Sequence, residues 1–211
     1  MENTQVESKV TESGANGEVS MRNRQDPLKQ RYREVPGEAK IVDWAVTVGG
    51  TATEPVHGEI DFGHSTGGAE DDALYPWGNP GDEEYDVQLA TGIHRAVGGD
   101  HDLPNPGNLL CAALATCLHS TIRMVANYMD LPLEDLEVKV SSMADVRGTL
   151  RVDPEVPVQF QQMKAYVTLE PGPGVPRKMV KKLLKAAEYS CVNLQTLRNG
   201  VSVETEYNLG G

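Results

Sequence analysis

One long apolar helix constrains everything else in this chain. Asn105 is a good helix N-cap, Pro106 fits the first helical position, and apolar residues then recur at helical spacing to about Met129, where Leu131-Pro132 stops the run. Leu110, Ala113, Leu114, Cys117, Thr121 and Met124 fall within an apolar arc covering about half the circumference. A helix this apolar must be covered by other elements, and one thin sheet cannot cover it fully.

The rest of the chain supplies such elements. Ile41 to Val48 reads as a strand and Val56 to Phe62 as its partner. Tyr85, Val87, Leu89, Thr91, Ile93 and Arg95 alternate with Asp86, Gln88, Ala90 and His94, so a strand is predicted over Tyr85 to Arg95, with Arg95 in phase with the buried face. Leu136 to Val146 and Val158 to Leu169 read as strands, and Pro176 to Tyr189 as an amphipathic helix with Met179, Val180, Leu183, Leu184 and Ala187 on its apolar side. Its other side carries Lys178, Lys181, Lys182 and Lys185, a solvated face. A short helix over Asn193 to Arg198, a turn at Asn199-Gly200 and a strand over Val201 to Tyr207 complete the pattern. Residues 26–211 are expected to form one domain, preceded by a disordered polar tail over 1–25 and interrupted by a Gly, Asp and Pro-rich insertion over 63–82; only a short helical turn, through Leu28, Tyr32 and Val35, is expected between the tail and the first strand.

A net charge of −12 over 211 residues excludes a nucleic-acid surface, which requires clustered Lys and Arg. No signal-peptide block is visible in the first thirty residues, and no stretch reads as the roughly 20 apolar residues of a membrane span. The expected location is the cytoplasm, and neither nucleic acid nor membrane is an expected partner. Three cysteines without a signal peptide are better read as reduced, buried or redox-active than as a disulfide scaffold.

On pattern alone, a cysteine on an apolar helix face reads as a small buried hydrophobe more readily than as a nucleophile. Cys111 lies about 120° round the helix from Cys117, at about 100° per residue. His119, two positions past Cys117, points to the opposite side and makes a poor base for it. His94, Asp100 and His101 lack the spacing of a metal site, and so do His57 and His64; no metal or cofactor is expected. The Pro-Gly-Pro-Gly run over 171–174 lacks the helix-opening pattern of a phosphate loop and serves as a breaker.

The run Pro106-Gly107-Asn108-Leu109-Leu110-Cys111-Ala112-Ala113-Leu114-Ala115-Thr116-Cys117 resembles the signature helix of the OsmC/Ohr superfamily, whose usual form is Asn-Pro-Glu-Glu-Leu, small and apolar residues, then Ala-Ala-Cys. Lys185 to Leu197 is similar to the family's second signature, a helix ending in Cys-Pro-Val. The resemblance runs from about Thr91 to Tyr207. It implies an α+β fold, with two central helices packed against antiparallel sheets of an intertwined homodimer. It places Cys117 at the peroxidatic position, Cys191 at the resolving position and Cys111 at an apolar, structural one. It also implies the chemistry, reduction of an organic hydroperoxide by a thiolate with regeneration by an external dithiol, without a cofactor. The family's thiolate is held by an Arg that a Glu orients. Here Gly107 replaces that Glu, Val192 replaces the proline, and a two-residue shift brings Arg95 into the Arg's role; an Arg at a strand end can equally snorkel to solvent. The same fold without the Glu also suits a catalytically weak dimer that binds small molecules or lipids, or senses redox state.

Overall fold

The structure, a computed structural model, describes residues 20–39, 42–48, 57–65 and 88–207. Helix α1 spans Met21–Glu34. Strands β1 (Val42–Val48), β2 (Gly58–Ser65) and β3 (Gln88–Thr91) form an antiparallel sheet in that order, with Ala45 opposite Phe62 and Ile60 opposite Leu89. The long helix α2 covers Pro106–Tyr128. Strand β4 (Leu133–Met143), one-turn α3 (Val146–Thr149), β5 (Gln162–Pro171), α4 (Arg177–Ser190) and α5 (Val192–Asn199) follow. The architecture is α+β, with helices packed against two small antiparallel sheets.

Asn105 caps α2 as expected, its side chain accepting the N–H groups of Gly107 and Asn108, while the Asn108 side chain accepts the Asn105 N–H in return. By length and hydropathy α2 is apolar enough to cross a bilayer, contrary to the sequence reading. Its composition serves packing here, because β4, α4 and α5 all rest on it. Strands β4 and β5 pair with Val138 opposite Val167, so Leu136, Val138, Val140, Ala165, Val167 and Leu169 share the face toward α2. Ile122 of α2 and Leu183 of α4 are fully buried at the centre, with Leu114, Leu118, Ala126, Ala187, Cys191 and Leu194 around them.

Several boundaries differ from the sequence reading. The tail boundary expected at residue 25 falls inside α1, which Ser20 caps through the Asn23 N–H and which docks on the end of α2. Met21 donates its N–H to Asn127, Arg22 pairs with Asp130, and the Tyr128 hydroxyl donates to Asp26. The helix begins at Met21, ahead of the short turn expected through Leu28, Tyr32 and Val35, and tolerates Pro27 inside. Residues 1–19 of the tail and 66–82 of the insertion lie outside the described residues, as do 85–87 of the third expected strand; 63–65 belong to β2. That strand ends at Thr91, since the Gly92 N–H turns to the Pro104 carbonyl at 3.0 Å and Gly99 packs where any Cβ would strike the Ile93 carbonyl. Residues 201–207 form no strand: among the described residues no neighbour pairs with them, and Val201 and Val203 are 70% and 77% exposed.

Truncating the centre of this core should be costly. Ile122→Ala and Leu183→Ala should each lower unfolding free energy by about 2–5 kcal/mol, read from urea denaturation, whereas Lys182→Ala on the wet face of α4 should leave it nearly unchanged.

Candidate functional site

The site is built where α2 meets the corner between α4 and α5. Cys117 sits midway along α2 and is half-buried, while Cys191 is fully buried as the residue joining the two later helices. Their sulfurs lie 3.3 Å apart, with the Cys191 thiol donating toward Cys117 Sγ, although 74 residues separate them in sequence. Both are reduced. Thr121, one turn on from Cys117, is buried and donates from Oγ1 to the Cys117 carbonyl at 2.7 Å. Asn193 donates from Nδ2 to the Ala113 carbonyl at 2.8 Å, joining the first turn of α5 to α2.

The two sulfurs are not equivalent. Burial pushes the Cys191 thiol above its ordinary value, and the backbone N–H of Leu194, in the first turn of α5, works in the opposite sense without cancelling it. Cys191 therefore holds its proton, and the half-buried Cys117 is the sulfur that small molecules reach. Cys111 lies on another side of α2, against Ser142 of β4 at 3.3 Å, as its position on the helical wheel implied.

Arg95 does not occupy the interior position expected of it. It lies past the end of β3, in a 3-10 turn over Arg95–Val97 that the His94 side chain caps through the Ala96 N–H. The side chain is exposed and donates to the Asp100 carbonyl at 3.5 Å. Strand phase placed it inward, but the strand stops before reaching it. Asp100 therefore offers it only a carbonyl. Asp102 accepts instead from the His57 ring at 3.2 Å, a hydrogen bond that keeps its carboxyl below the usual range. His94 packs edge-on against His101, ring centres 4.3 Å apart. His119 is half-buried on α2. A Cβ on Gly107 would stand 3.3 Å from the ring of Phe160, so the position of the signature's Glu abuts an aromatic.

A groove of about 710 Å³, lined by neither thiol but by their neighbours Leu118 and Leu194, runs between β5 and the α4–α5 corner, floored by Leu110, Leu114, Leu118 and Ile122 of α2. Met163 and Val167 form one wall; Leu184, Leu194 and Leu197 form the other. Glu188 and Arg198, paired at 3.1 Å, stand at its edge. Thr121, Asn193 and this ion pair were not singled out by sequence. Only the place of Asn193, two residues past Cys191, could have drawn notice.

Residues 99–206 match the family model described as OsmC-like protein. No curated protein matches the chain. Solved structures similar to it include an OsmC-like protein from Mycoplasma pneumoniae, 11% identical with a TM-score of 0.49, covering 76% of this chain and 89% of that one. Another is an organic hydroperoxide resistance protein from Legionella pneumophila, 22% identical with a TM-score of 0.43, covering 77% and 93%. A third, from Elizabethkingia anophelis, is 15% identical with a TM-score of 0.48, covering 76% and 89%. The family match carries the assignment; the structural similarities add no argument at this level.

The raised Cys191 thiol links stability to pH with a definite sign. Its neutral form is favoured in the fold, so its contribution is present in full below the ordinary thiol value of 9.0 and is lost as pH rises beyond it. Unfolding midpoints should therefore fall above pH 9, and Cys191→Ala should flatten that decline. At neutral pH, iodoacetamide mapped by mass spectrometry should label Cys111 and Cys117 before Cys191.

Proposed function

Because the chain belongs to the family of OsmC-like proteins, we propose that it reduces organic hydroperoxides with Cys117 as nucleophile and Cys191 as resolving thiol. The observation that carries this reading is the 3.3 Å approach of two unbonded sulfurs, one half-buried on α2 and one fully buried at the corner between α4 and α5. The Cys117 thiolate attacks the terminal oxygen of the hydroperoxide and the O–O bond breaks. The alkoxide takes up a proton and leaves as an alcohol, and Cys117 becomes a sulfenic acid. Cys191 then displaces hydroxide from that sulfur, giving the disulfide and water, and an external dithiol restores both thiols. The apolar groove offers the organic part of such a substrate a place away from water.

The working unit in this proposal is an intertwined homodimer. Among the described residues only eight apolar side chains are buried, and the α2-facing residues of β4 and β5 are half-buried. A two-stranded pair is marginal alone. A second copy would complete that cover, and the exposed Arg95 of one copy is then available to the thiols of the other. The cytoplasm, with its dithiol reductants, is the compartment this chemistry suits. Sedimentation at micromolar concentration should give a dimer; a stable folded monomer would count against this arrangement.

A redox-sensing dimer with slow turnover is the second reading, favoured by Gly107 in place of the signature Glu and by the exposure of Arg95. One experiment separates the two. Reduced protein given one equivalent of cumene hydroperoxide should yield a Cys117–Cys191 crosslink in peptide maps, Cys191→Ser should stop at sulfenic acid on Cys117, and Cys117→Ser should show neither. Sustained turnover with a dithiol, slowed roughly 100-fold in Arg95→Gln, supports the peroxidase. A single oxidation that recycles slowly, indifferent to Arg95, supports the sensor, and a crosslink through Cys111 or unreacted thiols would overturn both.

A further inference from the structure

We propose that Asn193 is the positioning residue for disulfide closure, its Nδ2 hydrogen bond to the Ala113 carbonyl holding the Cys191 corner against the turn of α2 that carries Cys117. This rests on the assignment of the two thiols above. Closure requires the Cys191 sulfur to attack the Cys117 sulfenic sulfur: the S–S bond forms, the S–O bond breaks, and the hydroxyl leaves with the Cys191 proton as water. The sulfurs must close from 3.3 Å to about 2.05 Å. The start of α5 therefore has to remain seated on α2 while an oxygen occupies the gap between them.

The receiving atom is what makes this contact informative. In the i to i+4 register of α2, the Ala113 carbonyl is the one that accepts the Cys117 backbone N–H. Thr116 Oγ1 also approaches it, at 3.3 Å. Asn193 thus fastens to the same peptide oxygen that positions the nucleophile's own backbone. An asparagine in the first turn of a helix ordinarily satisfies itself locally; this one reaches across to a different helix. Cys191 itself touches Cys117 and Thr121 of α2, whereas the polar contacts within α5 proper, Gln195 Nε2 to the Glu188 carbonyl at 2.7 Å and the Arg198–Glu188 pair, tie α5 to α4 alone. They would travel with the corner if it lifted. Among the described residues, Asn193 makes the side-chain hydrogen bond that joins α5 to α2.

The test separates the two chemical steps in the full-length protein. Asn193→Asp keeps the shape and removes the N–H donor, Asn193→Ala removes both, and Asn193→Gln returns a donor on a longer arm. With cumene hydroperoxide in stopped flow, oxidation of Cys117 should stay within about twofold of wild type in all three, while closure slows roughly 10- to 100-fold in Asp and Ala, with partial recovery in Gln. Dimedone should trap the lengthened sulfenate on Cys117 in the slow variants. Wild-type closure in both Asp and Ala would overturn the proposal, and so would equal slowing of both steps with a lowered melting temperature, which marks a purely structural contact. A wild-type protein that forms no sulfenate refutes the peroxidase reading instead. The equilibrium with oxidised and reduced dithiothreitol then decides: the Cys117–Cys191 disulfide should be about fivefold easier to reduce in Asn193→Ala, the scale of one lost hydrogen bond, and an unchanged constant overturns the assignment.

Discussion

Covering α2 is the problem around which this chain is organised. A 23-residue helix has the length and hydropathy of a membrane span, and each neighbouring element covers part of its surface. Strands β4 and β5 take one side, through an alternation that sends every second residue toward the helix. Helices α4 and α5 take another, with Leu183 and Leu194 reaching the centre. The groove is what these two covers leave between them. The thiol pair sits at the seam of the second cover, so the reactive geometry follows from burying the helix and needs no separate scaffold.

Features with strong local causes were legible in the sequence. The Asn105-Pro106 start of α2, the lysine face of α4 and the alternation of β4 and β5 came through, because capping, amphipathicity and period-two patterning each act within a few residues. Features decided by distant partners were less so. The start of α1 meets Asn127 and Asp130, a hundred residues away, which no local pattern announces. Residues 201–207 carry the alternation of a strand, but alternation supplies only one face, and without a neighbouring edge there is no ladder to join. Arg95 was misplaced for a related reason: phase along a strand predicts direction only while the strand continues, and the glycines at 92 and 99 fold the chain back on itself.

At the site, the approach of Cys117 and Cys191 was reachable only through family resemblance, since nothing in spacing alone joins positions 74 residues apart. The structure adds an asymmetry that the sequence does not contain. Burial keeps the proton on Cys191, while Cys117 retains access to solvent, so the environment divides the labour between two chemically identical groups. The difference comes from placement: one sulfur lies partway along α2, the other at the corner between α4 and α5.

The contact between Gly107 and Phe160 couples two distant parts of the chain. Where the OsmC/Ohr signature carries an acidic side chain, this protein has none, and the ring of Phe160 stands against that position. A side chain introduced at 107 would bring its Cβ to 3.0 Å from Asn105 Oδ1 and 3.3 Å from that ring, so the cap and the aromatic would each have to give by a few tenths of an ångström. A substitution at 107 is therefore felt at 160, and the two positions should not act independently on stability.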